Sequence, residues 1–404
     1  MSTMKPADDR PYIPFHLPSI GDEEIDEVVD TLKSGWITTG PKTFQFEKMM
    51  ADYVGTPYAV AVSSCTAGLH LALMAKGVGP GDQVITTPLT FAATAEVILH
   101  TGSQPVFVDV EEDGFNIDAE QIERAITPAS KVVMPVHFAG EPCRMDEILD
   151  ISQRHDLTVI EDAAHALGAA YHGKPIGSLS DATVFSFYAT KNLTTGEGGM
   201  CCTADQAYAE KIRRLSLHGL SRDAWTRYAK GGSWYYEIMD AGFKYNLTDI
   251  QASLGLQQLK KFPSLQQKRY ELVEAYRYHL AEIDELQLPP EPVGIHHAWH
   301  LFVIRLRSRL LGIDREQFIQ ALHENGIGTS VHFIPLHLHP YYKKKFGFKR
   351  GDFPHAEAAY DHAISLPLYP QLATGAVEHI TQVIKSLIAR NRKVVHSYIK
   401  AEIC

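Results

Sequence analysis

The chain has 404 residues, 45% hydrophobic and 21% charged, a composition that excludes disordered, collagen-like and fibrous classes. Lys and Arg number 38 against 48 Asp and Glu, a formal charge of −10, which is the wrong sign for a partner with a nucleic-acid backbone. At roughly 100–200 residues per domain, the length predicts one large domain and one smaller one.

The N-terminal MSTMKPADDRPYIPFHLPSIGDEE is too acidic and too interrupted by proline for a signal peptide, and no apolar stretch reaches the ~18 residues of a membrane span. From about 57 to 203, short β-rich runs alternate with helical patterns. YAVAVS (58–63) precedes the helical TAGLHLALMAKG; QVITTP precedes a helical stretch over 91–101; PVFVDV (105–110), KVVMPVHF (131–138), LTVIEDAA (157–164), DATVFSF (181–187) and GGMCCT (198–203) continue the series. Such apolar, β-branched strands predict an α/β fold with a mostly parallel sheet, covered on both faces and joined by right-handed crossovers. The region 245–285 reads as long helices broken near Pro263. After 295, HAWHLFVIRL reads as a strand, REQFIQALHENGI as a helix ending at Gly326, GTSVHFI as a strand, and 374 onward as an amphipathic helix. The expected organisation is a large domain over 15–260, a smaller α+β domain over 261–404 and an extension over 1–14. Five cysteines (Cys65, Cys143, Cys201, Cys202 and Cys404) form no CxxC pair, so free thiols in a cytoplasmic compartment are expected.

In open parallel sheets, ligands bind beyond the carboxyl ends of the strands. Several polar residues fall there: Asp162 and His165 after one strand, Ser186 and then Lys191 after another, and Ser63, Ser64, Cys65 and Thr66 between a strand and a helix start. Phe91 follows a fourth. The Ser-Ser-Cys-Thr-Ala-Gly turn is an anion site at a helix N-terminus, although a capped helix that binds nothing would use the same residues. Alone, Asp162 reads as a satisfied buried carboxylate and Lys191 as a surface charge. Together they match what pyridoxal phosphate requires: a lysine to bond it, an acid for the pyridine nitrogen and a phosphate cradle.

Eight segments, in order across nearly the whole chain, carry a resemblance: SGWITTGPK (34–42), SSCTAGLHLAL (63–73), VIEDAAHALGA (159–169), FSFYATKNLTTGEGG (185–199), GFKYNLTDIQASLG (242–255), HAWHLF (297–302), GTSVHFIPLHLHPYY (328–342) and SLPLYP (365–370). They resemble the DegT/DnrJ/EryC1/StrS family of nucleotide-sugar aminotransferases, and within it the members that aminate C4 of UDP-4-ketosugars. The resemblance implies the type I aminotransferase fold and a homodimer with a shared active site. It implies pyridoxal 5′-phosphate as cofactor, pyridoxamine phosphate as its aminated form, and glutamate/2-oxoglutarate as the donor pair. By position, Lys191 is then the lysine bonded to the cofactor and Asp162 the partner of the pyridine nitrogen, with His165 beside it. Phe91 covers the ring, and Ser186, Thr66 and the backbone of Cys65 and Ala67 form the phosphate site. Where the commoner pattern reads G-x-N-Y-R, this chain has Gly242-Phe243-Lys244-Tyr245-Asn246. The partner subunit's phosphate contact then falls to Asn246, with Lys244 the other residue that the motif offers. Trp36, Thr38 and His332 match segments that meet the substrate.

Rival readings fare unevenly. A nucleotide-dependent oxidoreductase needs GxGxxG opening a helix after a strand, and neither GVGPGD nor GEGG does so. Metal binding through His296, His297 and His300, or through His332, His337 and His339, lacks any HExxH or CxxC companion, and no metal is expected. A regulatory protein holding pyridoxal phosphate without turnover, or a C3 aminotransferase acting on a dTDP-sugar, remains as an alternative. Within the family, histidine at the lysine position goes with dehydration of the sugar, so Lys191 favours transamination.

Overall fold

The alternating apolar runs assemble into a seven-stranded sheet in a computed structural model that describes residues 12–221, 235–290 and 293–402. Across the sheet the strands are Tyr58–Val62, Gly199–Thr203, Ala182–Ser186, Thr158–Asp162, Ser130–Val133, Gln83–Thr86 and Gln104–Phe107. Six run parallel to one another; Gly199–Thr203 is antiparallel to both of its neighbours. Parallel neighbours need a long, usually helical, crossover, and the connection from Ser186 to Gly199 contains no helix, so the chain returns antiparallel. One face of the sheet packs Ile85, Val133 and Phe185 against Phe46, Leu256 and Phe262. The other packs Val60, Val84 and Val184 against Leu69, Leu73 and Ile212. Burial on both faces is why these strands read as continuous apolar runs.

A second core gathers Leu272, Tyr276, Phe302, Phe318, Ile364 and Ile384 around a three-stranded antiparallel sheet of Leu286–Gln287, Phe302–Leu306 and Ala363–Leu366. The helix Asp249–Leu280 serves both cores and passes without a break through residues 260 and 261. The expected interruption at Pro263 is therefore not present. Proline forfeits one backbone hydrogen bond, but burial of Phe262 and Leu265 on either side of it holds the helix through that defect. Ile13 joins this second core, exchanging backbone hydrogen bonds with Gly326 and Gly328 at 2.8 Å each. Residues 1–11 of the expected N-terminal extension, and Cys404, lie outside the described residues. No helix among the described residues is long and apolar enough to cross a membrane.

Two strand expectations are corrected. Only Phe302–Leu306 of HAWHLFVIRL pairs in the sheet, because Ala298, His300 and Leu301 donate their backbone N–H groups to the turn at 139–140 and Trp299 takes a φ of +47°. GTSVHFI forms a single isolated bridge, Ser330 to Ser365. Its His332 and Phe333 side chains go instead to the cavity described below.

The helix Pro41–Val54 begins at Gly40, which has no side chain to cap it. Asp249 supplies the cap from the long helix: Oδ1 accepts the N–H of Gly40 at 2.8 Å and of Thr43 at 2.9 Å, and Oδ2 accepts that of Lys42 at 3.1 Å. The Thr43 hydroxyl adds a fourth bond at 2.6 Å. Asp249→Ala is expected to cost about 3 kcal/mol, since four buried or half-buried donors lose their acceptor together. A lower urea midpoint checks it; an unchanged midpoint would refute the capping role.

Candidate active site

The strand Tyr58–Val62 delivers Ser63 and Ser64 to the start of the helix Cys65–Ala75. Ser64 is the N-cap: its hydroxyl accepts the Ala67 N–H at 3.0 Å, and its carbonyl accepts the Gly68 N–H at 3.0 Å. Ala67, expected to offer its backbone N–H to a phosphate, spends it on Ser64. Cys65 and Thr66, two residues and one residue nearer the helix start, line the cavity. The turn is pressed against the sheet so closely that a Cβ on Gly199 would stand 2.6 Å from Cys65 N, which restricts that position to glycine.

Asp162 ends its strand with a donor on each carboxylate oxygen. Thr94 Oγ1 donates to Oδ2 at 2.8 Å and is itself paired with the Thr90 hydroxyl at 2.7 Å. The Ala164 N–H donates to Oδ1 at 3.1 Å, with Cys65 Sγ at 3.9 Å. Burial pushes the carboxyl above the usual aspartate range, against the pull of Thr94, Ala164 and Lys191. Lys191 follows the strand Ala182–Ser186 on the loop that returns to Gly199, its N–H held by the Tyr188 carbonyl at 2.9 Å. Burial lowers its ammonium to about 8, opposed by Cys65 and Asp162.

A cavity of about 490 Å³ joins these parts. It brings together Cys65, Thr66, Phe91, Asp162, His165, Ser186, Lys191 and His332 from four strand ends and the 328–334 segment. Phe91 stands 62% exposed at the mouth with its ring 5.9 Å from Phe333. His332 Nδ1 bonds Ser365 Oγ at 2.8 Å, and burial pushes its imidazole down to about 4.

Asn246, Trp36 and Thr38 are gathered elsewhere, around Thr39 at the start of the long helix. Asn246 Nδ2 donates to the Thr39 hydroxyl at 2.7 Å, and Lys244 Nζ donates to Asn246 Oδ1 at 2.7 Å. Trp36 Nε1 donates to the Thr39 carbonyl at 3.1 Å, and the Thr38 carbonyl accepts the Asp249 N–H at 3.1 Å. None of the three lines the cavity of its own chain. Sequence reasoning missed Thr94 and Thr90, which hold Asp162, and His300 and Phe333, which complete the wall. A hydroxyl three residues beyond Phe91, on the same helical face, was the available signal for Thr94.

A family model for the DegT/DnrJ/EryC1/StrS aminotransferase family matches residues 18–385. The chain belongs to that family. It is 53% identical over 381 residues to an uncharacterised protein of Methanocaldococcus jannaschii, covering 94% of this chain and 99% of the other. It is 52% identical to the spore coat polysaccharide biosynthesis protein SpsC of Bacillus subtilis, covering 93% and 97% respectively. The pyridoxal phosphate form of a sugar aminotransferase, Spr1654 of Streptococcus pneumoniae, superimposes with a TM-score of 0.87 at 38% identity, covering 94% of this chain and 99% of that one. Its pyridoxamine phosphate form superimposes equally well.

This family member is a pyridoxal phosphate-dependent sugar aminotransferase with the fold of its solved relatives. The cavity suits that cofactor on its own terms. A buried carboxylate stands where a cationic ring nitrogen would compensate it, a helix N-terminus and the Thr66 and Ser186 hydroxyls suit an anion, and a buried lysine of lowered basicity stands with them.

Proposed function

We propose that the enzyme moves an amino group from glutamate to the C4 keto group of a UDP-linked ketosugar, in the cytoplasm, for cell-surface polysaccharide or lipid-sugar biosynthesis. The observation that carries the aminotransfer is the enclosure of Lys191, Asp162 and the Cys65–Thr66 helix start in one cavity. The resemblance of its eight segments to members that aminate C4 of UDP-4-ketosugars supports the nucleotide and the C4 position. Kinship with a polysaccharide biosynthesis protein supports the pathway class, and the four buried free thiols among the described residues suit a reducing compartment.

When bound, pyridoxal phosphate supplies an electron sink for carbanion character at the carbon that loses its proton. In this reading the protein does the rest. Asp162 keeps the ring nitrogen protonated, the buried carboxylate and the cation each lowering the other's cost. Cys65 and Thr66 N–H groups, with the Ser186 hydroxyl, orient the phosphate at the helix N-terminus. Phe91 covers the ring and keeps water from it. Lys191 Nζ, with a basicity near 8, both takes and returns a proton near neutral pH, which an ordinary lysine cannot do. Asn246, outside its own chain's cavity, completes the phosphate site of a second copy in a homodimer, with Trp36 and Thr38 carried to the substrate side in the same way.

The test is the visible spectrum of purified protein loaded with pyridoxal phosphate, before and after glutamate, followed by UDP- and dTDP-linked 4- and 3-ketosugars. A band that bleaches with glutamate and returns with a UDP-4-ketosugar is the expected result. Bleaching that only a dTDP-3-ketosugar reverses would replace the substrate, and a band indifferent to every amino donor would leave a binding protein without turnover.

A pH dependence follows from Lys191. Only the neutral amine can bond the cofactor, and the neutral fraction grows about tenfold per pH unit below its pKa. Uptake by unloaded protein, followed by stopped-flow absorbance, should therefore quicken with pH up to about 8 and level off above. A flat profile across that range would contradict the lowered basicity.

A further inference from the structure

The residue after Lys191 belongs to a hydrogen-bond network whose protons are fixed by backbone groups that can only donate or only accept. Asn192 Nδ2 donates to the Ala298 carbonyl at 2.7 Å and to Gln266 Oε1 at 3.3 Å, and Gln266 Nε2 donates to the same carbonyl at 2.6 Å. A carbonyl oxygen has no proton to give, so the Asn192 amide has one orientation, with Oδ1 facing His300 Nδ1 at 3.1 Å. His300 must then carry its proton on Nδ1 and its lone pair on Nε2. For His165 the logic is reversed. The Ala139 N–H, which can only donate, meets His165 Nδ1 at 3.2 Å, so His165 carries its proton on Nε2.

The two rings lie 4.4 Å apart, tilted by 39°, and both line the cofactor cavity. One presents a donor nitrogen and the other an acceptor. Burial, reinforced by Lys191 and His332, holds both imidazoles well below their usual pKa, so they stay neutral in the working range. The backbone is shaped around the pair. Ala139 has a φ of +56°, and a Cβ on Gly140 (φ +97°) would stand 2.9 Å from the His165 carbonyl oxygen and 3.1 Å from His300 N. Ala298 N and His300 N donate back to the Gly140 and Ala139 carbonyls at 2.8 and 2.9 Å. One turn therefore grips both histidines.

We infer that Asn192 and His300 are positioning residues: Asn192 sets the tautomer of His300, and the ring dipole of His300, packed on His165, acts on the His165 Nε2–H that Ala139 fixes inside the cofactor cavity. The inference rests on the proposal that this cavity binds pyridoxal phosphate. Its function is to tune the ionisation of the lysine-linked cofactor without touching the substrate. The readout is the pH midpoint of the visible band in the holoenzyme.

Asn192→Ala and His300→Phe, the second of which keeps a ring against His165, should each move that midpoint by about half a pH unit or more. The double variant should move it no further than the larger single one, as expected of groups acting as a unit. His300→Asn, whose Nδ2 stands where His300 Nδ1 does and can still donate to Asn192, should fold normally and restore most of the wild-type midpoint. Unchanged midpoints in Asn192→Ala and His300→Phe, with only the melting temperature lowered, would reduce the pair to packing and overturn the inference. An equal shift in His300→Asn and His300→Phe would overturn it too. A wild-type protein with no visible band would instead sink the cofactor assignment on which it stands.

Discussion

Lys191→Ala is expected to lower turnover by roughly 10²–10⁴-fold from lost proton transfer alone, and further because the cofactor loses its covalent anchor. Both half-reactions should fail together, since one amine serves the proton transfers of each. The effect is large because nothing nearby replaces it: the other basic groups of the cavity, His165, His300 and His332, are all held neutral by burial. The variant should still take up cofactor weakly, because Asp162, Phe91 and the Cys65–Thr66 helix start are untouched. Single-turnover absorbance with glutamate checks it, and a small added primary amine should restore part of the rate. Wild-type turnover in Lys191→Ala would remove the residue from the chemistry.

Asp162→Asn should lower turnover by roughly 10¹–10³-fold, following the one to three pKa units that an adjacent carboxylate contributes to a cation. The unloaded protein should be no less stable. A carboxyl whose folded pKa is raised by burial costs stability once pH exceeds its unfolded value, so the neutral amide relieves that cost at neutral pH. Its neighbours adapt as well: the Ala164 N–H still finds an oxygen, and the Thr94 hydroxyl can turn to accept. Collapse of activity with an unchanged or higher melting temperature is the expected pairing. A large loss of stability would show that Asp162 serves mainly to hold the fold.

Both variants change residues that the amino-acid pattern alone makes legible. Lys191, Asp162, Ser186 and the Ser64–Thr66 turn stand out because each follows an apolar β-branched run, and strand ends are where such sheets bind ligands. Thr94 is not legible in this way, since a hydroxyl in an apolar helix reads as ordinary core until Asp162 is seen 2.8 Å away. His300 is, in the sequence, one of several clustered histidines. Its tautomer depends on Asn192, and through it on Gln266 and Ala298, which lie 74 and 106 positions from Asn192 along the chain.

Local pattern by itself determined the strand runs, the helix starts and the chemistry offered at their ends, because short apolar β-branched runs and capping act over a few residues. The course of 297–301 and 328–334 was decided only in three dimensions. Both segments have strand-like sequences, yet their backbone and side chains are taken by the 139–140 turn and by the cavity wall. The same holds for Pro263, where packing on both sides outweighs a local helix-breaking preference. Tertiary burial also sets the state of the site: removal from water brings Lys191 down to about 8 and keeps three imidazoles uncharged. Desolvation depends on everything packed around a group, and so no stretch of sequence carries it alone.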